Sequence, residues 1–334
     1  MSNKVSVAMC TYNGAHYIQE QLESIGRQSV MPDEVVVCDD RSTDDTVAII
    51  RAYASRAAFD VKLHINEKQL GSTKNFERAV GLCSGEYIFF SDQDDVWYPE
   101  KVKRICEVLD ANPRLGAVFS DADLVNGELE PLNMTMWQTV NFGKARRAKP
   151  LRDVLLQGCV VTGATMAIRS SIIPLISPIP KDWIHDGWIA LLVASTSALG
   201  FVEKPLIGYR QHARNQLGAK VVNWRQKIMH VWRPSLAHAG MVALFDREFS
   251  DYSQILQRLR ECQDGSRGPV PDEVLLHQSI EKLEEKIAFI AIRRRIHQNS
   301  WRGCLLALEG LMFRRYHSYT YGLQAFIGDI RPRL

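Results

Sequence analysis

Four short runs rich in β-branched and aromatic residues occupy the first ninety positions, each separated from the next by a segment with helical features. The runs are Val5–Met9, Glu34–Cys38, Val61–Ile65 and Glu86–Phe90. Between them, Tyr17, Leu22 and Ile25 recur at near-helical spacing, and Thr46–Tyr53 follows the capping residues Ser42, Thr43, Asp44 and Asp45. Asn75–Leu82 is helical in pattern and is followed by the breaker Gly85. Such alternation restricts the chain to βαβ units, an α/β fold with a mostly parallel sheet and helices on both faces. In sheets of this kind ligands bind beyond the carboxyl ends of the strands. Three of those ends are polar here: Thr11-Tyr12-Asn13, Asp39-Asp40, and Asp92 with Asp94 and Asp95. Packing alone gives no reason for three such ends.

Downstream, Glu100–Asp110 reads as a helix stopped by Pro113, and Ala117–Phe119 as a short strand. Residues 126–150 are polar with Gly, Asn and Pro and read as a loop or hairpin. Cys159–Ile168 is apolar with Gly163 inside it, as in a strand or bend that approaches a ligand closely. Phe201–Ile207 reads as the last strand, followed by Tyr209-Arg210-Gln211-His212. From about residue 222 strand patterns vanish, and Trp224–Trp232, Leu236–Cys262, Glu273–His297 and Trp301–Arg315 read as helices. The expected division is an α/β domain over residues 1–218 and a helical C-terminal subdomain over 219–334.

Charge follows the same division. Residues 1–218 carry 23 Lys and Arg against 26 Asp and Glu, and residues 219–334 carry 18 against 12. The front is therefore at −3 and the back at +6, which suggests an anionic partner for the tail. A nucleic-acid partner is not expected, because the whole chain is only at +3 and no stacking aromatics interleave the basic residues. Arg293–Arg295, Arg314, Arg315, Arg331 and Arg333 flank the apolar Leu305, Leu306, Leu308, Leu311, Met312 and Phe313. That pattern suits peripheral contact with an anionic membrane surface. It equally suits a helical unit that packs on the catalytic domain or forms a homodimer. The seven cysteines, at 10, 38, 83, 106, 159, 262 and 304, are odd in number and contain no CxxC pair. With no apolar run of membrane-spanning length, they point to the reducing cytoplasm, with at most lateral membrane contact.

Three carboxylates within four positions after an apolar strand need a counter-charge. If the segment is extended, Asp92 and Asp94 face the same way. A Mn²⁺ or Mg²⁺ ion held between them and an anionic substrate removes their repulsion. The alternative is a solvated acidic turn that opens the next helix. Asp39 and Asp40 can accept hydrogen bonds from a ribose or a base edge. Gly71-Ser72-Thr73-Lys74-Asn75 offers a glycine turn and a cation near a helix start, which suits an anionic group or is an ordinary helix entry.

The stretches Val5–Asn13, Val37–Thr46 and Gly85–Trp97, in that order, resemble the opening of family 2 glycosyltransferases, inverting enzymes of the GT-A fold. The wording SDQDDVW at 91–97, HDGW at 185–188 and YRQHARN at 209–215 is most similar to bacterial rhamnosyltransferase-like members. The resemblance covers about residues 3–218, and the tail carries no motif of the family. It implies a nucleotide-diphosphate sugar donor, with dTDP-rhamnose first and a UDP-hexose such as UDP-galactose or UDP-GlcNAc as the alternative. The implied acceptor is a glycan or lipid-linked glycan of surface polysaccharide synthesis. It also implies roles. Thr11 and Tyr12 line the nucleotide pocket, Asp40 meets the base with Asp39 in support, and Lys74 reaches the base or a phosphate. Lys74 stands where the family usually has Arg, so a bidentate contact is not available there. Asp92 contacts ribose or metal-bound water, and Asp94 binds the metal. His212 corresponds to a metal or diphosphate ligand on a closing loop. Asp186 takes the position of the catalytic base, and His185, which replaces a Glu, is its competitor because imidazole titrates near neutral pH. Trp183 and Trp188 can stack on sugars or belong to the core, and Gly163 lies on the acceptor-side wall. An inactive, glycan-binding GT-A protein is the alternative of another class. A nucleotidyltransferase is disfavoured because Thr11–Gly14 contains no basic residue.

Overall fold

A computed structural model describes residues 3–212, 238–267, 271–298, 302–313, 315–320, 325, 326 and 329. The helix expected over Trp224–Trp232, the division at 218/219, and Arg314, Arg331 and Arg333 lie outside the described residues. The described chain forms two compact units. The first comprises residues 1–144 and 160–219, and the second 145–159 and 220–334.

The first unit is built on one mixed sheet. Its strands are β1 (Val5–Thr11), β2 (Glu34–Asp39), β3 (Asp60–Ile65), β4 (Tyr87–Ser91), β5 (Val96–Trp97), β6 (Leu115–Val125), β7 (Pro131–Thr135), β8 (Met166–Arg169) and β9 (Ala198–Arg210). Their order is β3-β2-β1-β4-β8-β6-β9-β5, with β7 paired to β6. The four strands read from the sequence form the parallel half, linked by the helices Ile18–Gly26, Thr46–Ala54 and Ser72–Leu82. Every residue of β1, β2 and β4 is buried, as helices on both faces require. Thr11 pairs with Asp39 and Met9 with Ser91, so the polar strand ends stand side by side.

The other half departs from the sequence reading. β8 runs antiparallel between β4 and β6. β6 spans 11 residues rather than three, because the buried Asp121 does not end the strand. Its Oδ1 accepts the backbone N–H of Ala122 (2.8 Å) and Trp137 (3.0 Å). The region 126–150 is a hairpin through β7 followed by the helices Met136–Thr139 and Phe142–Ala148, not only a loop. Thr135 and Gln138 form a capping box at the first of these. β9 pairs in parallel with β6 and carries the chain to Arg210, absorbing Pro205 at an irregularity in the register.

The second unit is helical: His238–Gln263, Glu273–Gln298, Arg302–Met312 and Arg315–Tyr319. Residues 145–159 belong to it. Arg152 donates to Ser279 Oγ (3.0 Å), and Lys149 and Gln157 donate to the carbonyl of His317 (2.6 and 2.8 Å). Its core gathers Phe289, Ile296, Ala307, Tyr316, Tyr319 and Phe326. Arg293 is not part of a membrane-facing basic stripe: it makes a two-pronged ion pair with buried Asp329 (2.7 and 2.9 Å), which also accepts from Tyr316 (2.7 Å). No described helix is long and apolar enough to cross a membrane.

Candidate active site

The site grows from the carboxyl ends of β1, β2 and β4. At β2, Asp39 is fully buried. Its carboxylate accepts from Thr11 Oγ1 (2.8 Å) and from the backbone N–H and hydroxyl of Ser42 (2.8 and 2.5 Å). Asp40 accepts from Asn66 Nδ2 (2.7 Å) and from the backbone N–H of Leu70 (2.7 Å) and Gly71 (2.9 Å). These bonds fix the loops at the ends of β1 and β2, and Asp40 keeps one acceptor position beyond its three donors. Tyr12 is half exposed at the rim. Lys74 is ion-paired with Glu77 (2.6 Å), whose other oxygen accepts from Ile179 N (2.9 Å), so its charge is already partly committed.

Beyond β4 the acidic segment is a bend rather than an extended run. Its shape is set by Gln93, which the sequence reading passed over. The Gln93 amide accepts from Tyr12 N (2.8 Å) and donates to Tyr12 O (3.0 Å), clasping the β1 and β4 ends together. The clasp needs Gly14, since a Cβ there would lie 2.2 Å from Gln93 Oε1.

Asp92 is pushed up to about 7 by burial and then by the charges of Asp94 and Asp186. Asp186 acts on Asp92 although 94 positions separate them. Asp95 is also raised, by burial first and then by Asp94 and Asp92. Its Oδ1 accepts from Arg210 N (3.1 Å), and its buried Oδ2 has no hydrogen-bond partner among the described residues. Asp94 Oδ2 lies 2.9 Å from His212 Nε2. The His212 ring stacks on Tyr17 at 4.7 Å, and the Arg210 guanidinium covers the same tyrosine at 4.6 Å. Arg210 also donates to the carbonyls of Asp94 (2.7 Å) and Gly127 and to Glu20. One buried arginine thus fixes the bend from behind.

These donors fit a small divalent cation. Neighbouring ligands on an octahedral ion with bonds of about 2.1 Å stand about 3 Å apart, the separation of Asp94 Oδ2 and His212 Nε2. Among the described residues no three His, Cys, Asp or Glu side chains form a complete metal cage. Mn²⁺ or Mg²⁺ held by this pair would take its other ligands from a diphosphate and water, the usual preference of such ions.

Asp186 lies in the first turn of the helix His185–Thr196, where the dipole favours an anion. Its Oδ2 accepts from Gly163 N (3.1 Å) and its Oδ1 from Gly187 N (2.6 Å). Each oxygen keeps a free acceptor position. Of the two readings left open for Trp188, stacking on a sugar or belonging to the core, its burial favours the core, and His185, the competitor to Asp186, is buried as well. His185 is buried between Phe76 (ring centroids 4.2 Å apart) and Phe90 (5.6 Å), and burial lowers its pKa. Neither of its ring nitrogens has a hydrogen-bond partner among the described residues, and Gly163 covers it. Trp188 is a core residue whose indole donates to Ile176 O (2.8 Å). Trp183 is half-buried, packed edge-on to Trp188 at 5.7 Å.

A mixed sheet with this parallel half, its polar strand ends side by side and an acidic bend beyond β4, has the GT-A glycosyltransferase fold. Solved structures similar to this chain in fold include the following two. TarS from S. aureus aligns over 98% of this chain and 89% of its own (TM-score 0.57, 17% identity). A mannosyltransferase from Pyrobaculum calidifontis, in complex with GDP-Man and Mn²⁺, aligns over 100% and 87% (TM-score 0.51, 17% identity). Residues 6–170 match the description "Glycosyl transferase family 2". The chain is 30% identical to RfbG, a dTDP-rhamnosyl transferase of Shigella flexneri, over 64% of this chain and 74% of that one. It is 28% identical to an uncharacterized glycosyltransferase of Nostoc over 64% of this chain, spanning 66% of the relative's length. The chain belongs to glycosyl transferase family 2 and is a glycosyltransferase.

Proposed function

We propose that the protein is a metal-dependent inverting glycosyltransferase that moves a sugar from a nucleotide-diphosphate donor to an acceptor hydroxyl. The observation that supports this reading is an acidic bend whose Asp94 Oδ2 lies 2.9 Å from His212 Nε2, together with a separate carboxylate, Asp186, that accepts from the backbone N–H of Gly163 and Gly187. Asp94 and His212 hold Mn²⁺ or Mg²⁺, which when bound supplies Lewis-acid stabilisation of the departing diphosphate. The Asp40 loop, Thr11 and Tyr12 receive the nucleoside, and Asp92 faces the ribose side. Asp186, oriented by two backbone N–H groups, takes the proton of the incoming hydroxyl as it attacks the anomeric carbon.

The preferred donor is dTDP-rhamnose, on the likeness to RfbG, and the acceptor a glycan or lipid-linked glycan of bacterial surface polysaccharide. Peripheral membrane contact is part of this reading. It is supported by Met312 (76% exposed) and Phe313 (63% exposed), with Arg315 over the Phe313 ring at 5.6 Å. A thermal-shift panel of dTDP, UDP, GDP and their sugars, with and without Mn²⁺, tests the reading. A ligand at 100 times its Kd adds about 2.7 kcal/mol of stability. The expected result is the largest shift with dTDP-rhamnose and Mn²⁺. A UDP-hexose giving the largest shift would move the donor to that sugar, and no metal-dependent shift with any nucleotide would overturn the proposal.

A further inference from the structure

Lys101 opens the helix Lys101–Ala111 just after the acidic bend, a position at which a lysine ordinarily reaches into solvent. Instead it is 0% exposed. A buried ammonium is costly unless its charge and protons are used. Its Nζ sits 3.7 Å over the Trp97 ring and lies in the field of Asp95 and Asp92. It donates to Ala164 O at 2.6 Å.

Ala164 belongs to the turn Gly163–Thr165, closed by Thr165 N donating to Thr162 O at 2.9 Å. This turn supplies the Gly163 N–H that grips Asp186 Oδ2. On its other side it rests on His185, since a Cβ on Gly163 would lie 2.5 Å from His185 Nε2. The turn is thus fastened by Lys101 from the acidic side and by His185 from the helix that carries Asp186. Lys101 reaches the base only through this turn.

We propose that Lys101 is a positioning residue for the transfer step: it pins the Gly163–Thr165 turn to the Trp97–Lys101 segment that follows the acidic bend, and so holds the Asp186 carboxylate where the acceptor hydroxyl arrives. The proposal rests on the reading of Asp186 as the base. It assigns Lys101 no contact with donor, metal or acceptor.

The test uses Lys101→Met and Lys101→Gln in the full chain; Gln keeps a donor for Ala164 O and drops the charge. Amide hydrogen exchange over residues 160–166 is read without substrate, and dTDP release from dTDP-rhamnose with Mn²⁺, by hydrolysis with water taking the rhamnosyl group and Asp186 the proton, is read alongside. Lys101→Met is expected to speed exchange in the turn, leave the Kd for dTDP with Mn²⁺ unchanged, and slow release by about 10- to 100-fold. Lys101→Gln is expected to restore part of both. Combined with Asp186→Asn, Lys101→Met is expected to cost nothing further, as for residues acting as one unit. Unchanged exchange in the turn, a loss of dTDP affinity that parallels the loss of turnover, or a defect that multiplies that of Asp186→Asn would each overturn the assignment. So would failure of both lysine variants to fold, seen as lost near-ultraviolet circular dichroism, which would make Lys101 a stability residue. If Asp186→Asn turns over like wild type, or dTDP-rhamnose is not cleaved, the base or donor reading fails instead, and the exchange result still decides whether Lys101 holds the turn.

Discussion

Asp94 and His212 stand 118 positions apart in the chain and 2.9 Å apart between Oδ2 and Nε2. The contact joins the bend after β4 to the end of β9, and Arg210 and Tyr17 hold both sides of it. If this pair holds the proposed cation, removing either member would leave that cation a single protein ligand. Asp94→Ala and His212→Ala are each expected to weaken Mn²⁺-dependent dTDP binding by at least about tenfold. Binding measured with chelator present should be little changed. Calorimetric titration with and without Mn²⁺ checks this, and equal affinities for wild type and variants in Mn²⁺ would remove the metal assignment.

Asp186→Asn keeps the shape of the side chain but cannot take a proton, and its NH2 replaces one of the two oxygens that accept from Gly163 and Gly187 N–H. Sugar transfer is expected to fall by about 10²- to 10⁴-fold, with dTDP affinity retained. Turnover near the wild-type rate would show that another group serves as base. The burial of His185 between two phenylalanine rings makes it an unsuitable substitute.

Glu34 sets a prediction on acid stability. Burial alone would raise its pKa, but hydrogen bonds from Lys62, Ser6 and Ser84 outweigh it and bring the carboxyl down to about 2. A carboxyl lowered on folding contributes stability above its unfolded pKa of about 4.3, and that contribution is lost as pH falls toward the folded value. The fall from about 4.3 to about 2 links at most about 3 kcal/mol of stability to the ionisation of this one group. Glu34→Gln is therefore expected to destabilise most above pH 5, with the gap to wild type closing toward pH 2. Urea midpoints across that range check it, and a gap independent of pH would refute the linkage.

Gly85 lies where the chain enters β4, hard against the start of β1. A Cβ there would sit 2.7 Å from Ser6 N and 2.8 Å from Lys4 O, both backbone atoms with little room to move. Gly85→Ala is expected to destabilise by about 1–3 kcal/mol through overpacking, while specific activity of the folded fraction is kept. Thermal denaturation that matched wild type would show that the backbone yields at this point.

The parallel half of the sheet was legible because its signals are local. β-branched runs, capping residues and helical spacing lie within single segments, and β1 to β4 fall within a residue or two of the runs read from them. The antiparallel β8 was not legible, since nothing in Met166–Arg169 tells which strand it will join or in which direction. Asp121 misled for a related reason: a polar residue reads as a strand end unless the N–H groups that satisfy it, here Ala122 and Trp137, are known. The acids of the candidate site were visible as residue types at strand ends. Burial of the residues around them was not. His185, Trp188 and Lys101 all carry side chains that work equally well in solvent, and only long-range packing puts them inside.

The sheet order also determines how much of this chain can stand alone. The family match ends at residue 170, yet β9 lies between β6 and β5 and delivers Arg210 to the acidic bend. A fragment cut at that limit would keep every acid of the strand-end cluster. It would also leave β6 with an unpaired edge, an invitation to aggregate, and the bend without its rear brace. The smallest useful expression piece must run past residue 212, some forty residues beyond the end of the family match.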